Sequence, residues 1–196
     1  MTDGLIFRMY KLVIEPKDRQ AFVEEGENNF TVSHKNEPGT LLMYATHSDE
    51  VGAVNYVFEL YLNKKSYRIH ADSSQFKRYG KLAQKIIKKK ELFELEPILL
   101  SSPKNLEIVG KNPYSIRMTK LKVEDSQIDL LLRQTKGELT AFHLAKLDNY
   151  WLILEVSDDS QLYRDWTSFG QVINRKDLKL DTLVNQAKID YLAESK

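Results

Sequence analysis

The order of apolar patterns in the first hundred residues most strongly constrains how this chain can fold. Residues 5–14 are rich in β-branched and aromatic types and stop before Pro16, which predicts a strand because proline cannot extend a β-ladder. Apolar residues three and four positions apart then predict a helix over 17–36. Two extended runs, 39–47 and 53–62, flank turn-forming residues and predict a hairpin.

The next segment completes a known arrangement of helices and strands. Helical spacing returns at 64–71 and again over 76–87, and 92–100 predicts a fourth strand. The order β-α-β-β-α-β is typical of a ferredoxin-like α+β unit, in which an antiparallel sheet carries both helices on one face. The other face of the sheet needs cover, so a second sheet is expected to pack against it.

Side chains alternate along the predicted strand 53–62, so its two faces have different neighbours. The set expected to meet the helices is Val54, Tyr56, Phe58, Leu60 and Leu62, and the opposite set is Asn55, Val57, Glu59 and Tyr61. On this prediction Glu59 lies at the interface between two sheets.

The second half of the chain repeats features of the first. Residues 8–12, Arg-Met-Tyr-Lys-Leu, match residues 117–121 in four of five positions. A glutamate eight positions before a tyrosine also recurs, and the two pairs are Glu59 with Tyr67 and Glu155 with Tyr163. These correspondences predict a diverged tandem repeat.

The repeat suggests where one unit ends and the next begins. We predict a first unit over 1–102 and a degenerate second unit over 113–196, with the connection beginning at 101–105. Residues 184–192 are expected to form a terminal helix. The lysine run 88–90 is expected to be a solvated helix end, because the helix dipole favours cations there.

Composition excludes several classes of function. The 29 Lys and Arg almost balance the 28 Asp and Glu, which argues against a nucleic-acid partner. With no cysteine, the chain has no disulfide, thiolate nucleophile or iron–sulfur cluster. No apolar run reaches the roughly 18 residues of a membrane span and the N-terminus does not resemble a signal peptide, so we expect no membrane partner and a cytoplasmic location.

Four motifs in the first unit resemble one protein family. They are Asn36-Glu37-Pro38-Gly39-Thr40-Leu41, Phe58-Glu59-Leu60-Tyr61, Tyr67-Arg68-Ile69-His70 and Ser74-Gln75-Phe76-Lys77-Arg78-Tyr79. In this order, over roughly residues 5–100, they resemble the antibiotic biosynthesis (quinol) monooxygenases of the dimeric α+β barrel superfamily. The resemblance implies a barrel of two sheets packed face to face, either between two chains as a homodimer or within one chain as a pseudo-dimer.

The same resemblance implies a chemistry. Many members of the family oxygenate quinols or other aromatics without metal or flavin, with molecular oxygen as co-substrate. Such a reaction needs a base that deprotonates the substrate and an apolar pocket that excludes water. We expect His70 as the favoured proton acceptor and Glu59 as the second catalytic candidate, with substrate contacts from Arg8, Tyr61, Tyr67 and Phe76 in the barrel cavity of the first unit. In the second unit Trp166 takes the position corresponding to His70.

Two alternatives remain open. One is a non-catalytic small-molecule-binding or regulatory module of the same fold, because fold does not determine function. The other is a haem-binding relative with His70 as axial ligand. The haem-degrading relatives use an Asn, Trp and His arrangement, but the first unit has no Trp and its first strand has no Asn.

Overall fold

The computed structural model describes residues 4–102, 105–133, 139–186 and 188–193. Within these ranges the α-helices are α1 (Arg19–Asn36), α2 (Lys64–Asp72), α3 (Ser74–Ile86) and α4 (Ile128–Arg133). The strands are β1 (Ile6–Ile14), β2 (Thr40–His47), β3 (Val54–Tyr61), β4 (Ile87–Ser102), β5 (Leu106–Val109), β6 (Ser115–Val123), β7 (Ala141–Leu147), β8 (Tyr150–Ser157), β9 (Gly170–Asn185) and β10 (Ile189–Leu192). None of these helices has the length and apolar character needed to cross a membrane.

Eight antiparallel strands close into a barrel within the single chain. They follow the order β1-β3-β2-β9-β6-β8-β7-β4, and pairing of β4 with β1 completes the ring. Four of these strands come from each half of the sequence. The predicted α+β class and the barrel of tandem units are therefore confirmed, and the ring closes as an intrachain pseudo-dimer.

Two long strands join the halves of the barrel. In β4, residues 87–95 pair with β1 of the same half, and residues 96–101 pair with β7 of the other half. The strand β9 has the equivalent arrangement, because it pairs with β6 and then with β2. Each long strand thus belongs to both halves of the sheet, and neither half could form its complete hydrogen-bond ladder alone.

The barrel interior is filled by apolar side chains, and β3 faces it in the register opposite to the prediction. Tyr56, Phe58 and Leu60 pack inside the barrel, whereas Val57 and Tyr61 pack against the helices. The interior takes large apolar side chains from both halves, since a small closed barrel is filled by its own side chains. The outer face of β3 therefore carries Glu59 toward the helices and away from the second sheet.

Two capping residues divide the second helical region of the first unit. The Asn63 side chain accepts a hydrogen bond from the backbone of Ser66 at 2.9 Å, which begins α2. The Ser73 hydroxyl accepts one from the backbone of Phe76 at 3.3 Å, which begins α3. Both helices were predicted from the sequence, and these caps fix where each begins.

Two sequence-based predictions of local structure are wrong. Residues 184–185 end β9 and residues 189–192 form β10, which pairs with β4, so no terminal helix forms in the described part of this segment. The lysine run 88–90 lies on β4, because α3 ends at Ile86 and the chain extends directly into the strand. The connection between the halves contains β5, while Pro103 and Lys104 lie outside the described residues.

In the described residues, the second half has a much smaller helical layer than the first. The six-residue α4 occupies the place in the chain order that the 18-residue α1 has in the first half. Between β8 and β9 the chain forms 3-10 turns at Ser160–Leu162 and Thr167–Phe169, where the first half has α2 and α3. The degenerate character predicted for this half therefore lies in its helices, while its strands remain.

A hydrogen-bonded pair links the two halves at the centre of the barrel. Tyr44 on β2 and His143 on β7 occupy equivalent registers, opposite Phe58 and Leu154 respectively. Tyr44 Oη lies 2.9 Å from His143 Nε2, and both side chains are fully buried. Burial lowers the pKa of His143 to about 3, so the imidazole is neutral in the folded protein.

We predict that His143 makes barrel stability depend on pH. Its pKa is depressed by folding, so its contribution is complete above the unfolded pKa of about 6.5 and is lost as pH falls toward 3. Between pH 7 and pH 5 wild-type protein should lose about 2 kcal/mol of unfolding free energy that a His143→Gln variant does not lose. Denaturant titration at both pH values measures the difference. Tyr44→Phe, which keeps the imidazole, should retain the pH dependence, and equal losses in wild type and His143→Gln would contradict the prediction.

Candidate functional site

A cavity of about 440 Å³ lies on the outer face of the first unit's sheet, beneath α2 and α3. Its walls combine aromatic and aliphatic side chains with one carboxyl and one ammonium group. The lining residues are Tyr10, Leu12, Val57, Glu59, Tyr67, Phe76, Tyr79, Gly80, Ala83, Gln84, Ile87 and Lys90. A concave, mainly apolar pocket with few polar groups is typical of a small-molecule site.

Glu59 is the acidic residue of this cavity. It projects from the centre of β3, is only 7% exposed, and accepts a hydrogen bond from Tyr61 Oη at 2.9 Å. Burial raises the pKa of Glu59 above its ordinary value, although His70, Tyr61 and the more distant cations act in the opposite direction. A carboxyl group with a raised pKa in an apolar pocket is suited to proton transfer.

The tyrosines around Glu59 are neutral hydroxyl groups. Burial, followed by the charge of Glu59, raises the pKa of Tyr10 to about 12. The same two causes raise the pKa of Tyr79 further above its usual range. These rings therefore offer aromatic surface and neutral hydrogen-bonding groups rather than phenolate charge at neutral pH.

Arg8 lies at the edge of the cavity. It is directly opposite Glu59 in the β1–β3 register. Its guanidinium carbon stands 4.4 Å from the centroid of the Tyr67 ring, and its Nη2 atom is 3.3 Å from Glu94 Oε1. Arg8 thus holds a cavity-lining aromatic ring in place by a cation–π contact.

His70 is completely buried behind the cavity wall. Its ring lies 4.8 Å from that of Phe76 and 5.5 Å from that of Tyr61, measured between centroids. Its Nδ1 atom is 2.9 Å from Glu37 Oε2 and 3.2 Å from Ser33 Oγ. Among the described residues its Nε2 atom has no hydrogen-bond partner.

Glu37 organises a buried polar network beneath His70. It accepts hydrogen bonds from Thr40 Oγ1 at 2.8 Å and from Gln75 Nε2. Burial opposes its negative charge, but the hydrogen bonds from His70 and Thr40 outweigh that effect and lower the pKa of Glu37. Glu37 is therefore a fixed negative charge that orients the imidazole.

Gly39 allows the first turn of α2 to approach this network. A Cβ atom at position 39 would overlap with the hydroxymethyl group of Ser66, so a larger residue would push the helix away. His70 lies one helical turn beyond Ser66 and depends on this close approach to reach Glu37. The Glu-Pro-Gly-Thr-Leu motif thus builds the floor of the site.

The structure distributes the six residues singled out from the sequence over two layers. Glu59, Tyr67 and Phe76 line the cavity, while Tyr61 and His70 lie directly behind it and Arg8 stands at its edge. The expected location of these residues between the two sheets is wrong, because β3 presents Glu59 to its outer face, toward the helices.

Several residues of the site were not anticipated as such. Tyr10, Tyr79 and Lys90 line the cavity, and Glu37 holds His70. Tyr10 shares a strand face with Arg8, so the alternation of β1 could have identified it. Glu37 and Tyr79 stand inside the quoted motifs, but no sequence signal separates them from residues that serve the fold.

The second unit repeats part of this arrangement around Glu155. Arg117 is opposite Glu155, and its guanidinium carbon lies 4.8 Å from the centroid of the Tyr163 ring. Here the Trp166 indole is fully buried and its Nε1 atom donates to Glu155 Oε2 at 3.0 Å. The Trp166 indole thus hydrogen-bonds to Glu155, whereas the corresponding Glu59 of the first unit faces a cavity. The first unit is therefore the candidate place for a ligand.

Comparisons with known proteins show that solved structures share this fold. No family model matches the chain, and no curated protein matches its sequence. A putative monooxygenase from Lactobacillus acidophilus NCFM has a TM-score of 0.79 at 23% identity, covering 96% of this chain and 99% of that one. A putative monooxygenase from Fusobacterium nucleatum has a TM-score of 0.83 at 15% identity, covering 99% and 100% of the two chains.

Shorter structures match part of the chain. A putative antibiotic biosynthesis monooxygenase from Caulobacter crescentus CB15 covers 48% of this chain and 90% of its own length, with a TM-score of 0.45 at 23% identity. The full-length likenesses establish the fold, since they extend over the whole barrel. The chain therefore shares its whole fold, from the first strand to the last, with these two putative monooxygenases.

The buried carboxyl group of Glu59 should reduce stability at neutral pH. Because folding raises the pKa of this acid, its favourable contribution is present below the unfolded pKa and is lost as pH rises through the folded value. We expect Glu59→Gln to gain unfolding free energy relative to wild type on moving from pH 4 to pH 7, measured by denaturant titration. The exposed Glu50→Gln is the control and should track wild type. A Glu59→Gln curve parallel to wild type would refute the raised pKa.

Proposed function

We propose that this protein is a cofactor-independent monooxygenase that oxidises a small aromatic or quinol-like substrate in the cavity of the first unit. The observation that carries the proposal is the buried Glu59 carboxyl group, which faces an aromatic cavity and has a raised pKa. Fold alone leaves the function open, and this combination of base and apolar walls is what the chemistry requires.

The proposed reaction begins with loss of a substrate proton. A hydroxyl of the bound ring, or an acidic carbon beside it, gives its proton to the Glu59 carboxylate. The electron-rich anion then passes an electron to dioxygen, and recombination forms a peroxide at a ring carbon. The peroxide forms at a carbon that still carries one hydrogen, and it takes back the proton given to Glu59. Loss of water from this CH–OOH centre leaves a carbonyl, so one oxygen atom enters the product and the other leaves as water with the hydrogen of that carbon and the returned proton.

Glu59 is better placed than His70 to meet the substrate. Glu59 lines the cavity, whereas the His70 imidazole lies behind Phe76 and directs Nδ1 toward Glu37. We therefore assign proton acceptance to Glu59 and a positioning role to His70. The partial positive character of an imidazole held by Glu37 favours the ionised form of Glu59, which is the form that accepts a proton.

The cavity walls suit a flat, electron-rich ligand. Tyr10, Tyr67, Phe76 and Tyr79 supply aromatic faces and edges against which a ring can pack. Exclusion of water from such a pocket strengthens the electrostatic interaction between the developing anion and its surroundings. The volume of about 440 Å³ is within the range of sites for small organic molecules.

Oxygen uptake with a simple naphthoquinol tests the proposal. Wild-type protein should accelerate oxygen consumption above the uncatalysed rate, and Glu59→Gln should lower kcat by about 10²- to 10⁴-fold because the general base is removed. Glu155→Gln, the equivalent change in the second unit, should leave the rate near wild type. Tight quinol binding without turnover would favour the non-catalytic binding module, and equal turnover in wild type and Glu59→Gln would overturn the assignment.

The role of His70 has its own signature in the pH profile. Since His70 lowers the pKa of Glu59 against the larger effect of burial, replacing it should raise that pKa. The acidic limb of kcat/KM should move to higher pH in His70→Gln, because deprotonated Glu59 is required. If the rate falls at all pH values and the acidic limb of the kcat/KM profile stays at the same pH, the role of His70 is purely structural. Circular dichroism of the variant checks that the fold is retained.

A further inference from the structure

The three consecutive lysines at the beginning of β4 have different partners. Lys88 Nζ lies 2.9 Å from Glu15 Oε1, and Lys89 Nζ lies 2.9 Å from Glu91 Oε1. Among the described residues, no carboxylate lies within ion-pair distance of the Lys90 ammonium group. Lys90 is also the member of this run that lines the cavity.

Strand register explains why Lys90 reaches the cavity. It is opposite Leu12 on β1, and Leu12 is itself a lining residue on the helix-facing side of the sheet. The Lys90 Nζ atom stands 4.9 Å from the centroid of the Tyr10 ring, which forms one cavity wall. The ammonium group is therefore held over the entrance by a cation–π contact, rather than neutralised by an acid.

Glu59 and Lys90 lie toward opposite ends of the same space. Glu59 is opposite Arg8 on β1 and Lys90 is opposite Leu12, four residues farther along that strand. Four residues of extended chain span roughly 13 Å. Both side chains extend into the intervening space, so a ligand of one or two aromatic rings can meet a carboxylate at one end and a cation at the other.

We propose that Lys90 makes this cavity selective for aromatic hydroxy acids, in which a carboxylate meets the ammonium group while the hydroxyl meets Glu59. This inference rests on the proposed function, because it assumes that the cavity is the substrate site. Lys90 is a specificity-determining residue on this account. Because Lys90 is exposed, solvent screens its ion pair with the ligand carboxylate and limits the gain in affinity.

Binding of two unreactive probes tests the selectivity. A hydroxynaphthoate with its hydroxyl and carboxylate on opposite rings is compared with naphthol, which has the same rings and no carboxylate, by isothermal titration calorimetry under nitrogen. Wild-type protein should bind the hydroxynaphthoate about 2- to 5-fold more tightly, as expected for one partly screened charge pair. Lys90→Met should lose this preference while binding naphthol as before.

Lys88→Met is the matched control, because it removes the same charge from the same run without touching the cavity. It should keep the preference for the hydroxynaphthoate. Equal affinities in wild type, or a preference that survives in Lys90→Met, would overturn the role of Lys90 and leave the proposed oxygenase intact. If neither probe binds, the cavity is not an aromatic site, and the proposed function fails together with the inference.

Discussion

Alternation of side chains across one closed sheet is the constraint on which the rest of this structure depends. Along β3, Tyr56, Phe58 and Leu60 fill the barrel, so the residues between them must point outward. Glu59 is one of these outward-pointing residues. The candidate site therefore lies on the outer face, where α2 and α3 cover Glu59 and enclose a cavity.

The two halves share the strand register around a buried glutamate but differ in what covers that glutamate. Arg8 with Glu59 and Arg117 with Glu155 occupy the same registers, and each arginine lies over a tyrosine ring. The first half keeps helices above the glutamate and leaves a cavity. In the second half, the described chain between β8 and β9 forms 3-10 turns in place of α2 and α3, and Trp166 donates a hydrogen bond to Glu155.

The second half has a structural role, because its strands close the barrel. The strands β4 and β9 each pair with both halves, so the degenerate half completes the sheet on which the cavity is built. The central Tyr44–His143 pair joins equivalent positions of the two halves. The second half thus contributes to the candidate site of the first half, because the sheet that carries Glu59 closes only with strands from both halves.

Much of this arrangement was predictable from the sequence, and the failures have physical reasons. The strong apolar runs and the capping residues Asn63 and Ser73 mark the elements of the first half. The face of β3 was assigned wrongly because both of its faces carry large side chains, so hydrophobicity alone does not distinguish barrel from helix contacts. The beginning of β4 at Ile87 was not predicted because lysines suit both a helix end and a solvated strand.

Pairing between strands that are distant in the sequence explains the other features that were not predicted. Residues 184–192 have a pattern that suits a helix, yet 184–185 and 189–192 form strands because β2, β5 and β4 offer unpaired edges to them. Of the site, Glu59, Tyr67 and Phe76 could be named from motifs, whereas Tyr10 and Lys90 join them only through the β1–β4 register. Such pairings are set by tertiary contacts that local propensity does not contain.

The central claim is that a ligand binds outside the barrel, with its hydroxyl group against Glu59. A crystal structure with an unreactive aromatic alcohol, grown without oxygen, tests this most directly. The account predicts the ring between Tyr10 and Phe76, with the hydroxyl oxygen within hydrogen-bond distance of a Glu59 carboxylate oxygen. A ligand inside the barrel, beside Glu155, or with its hydroxyl turned away from Glu59 would contradict it.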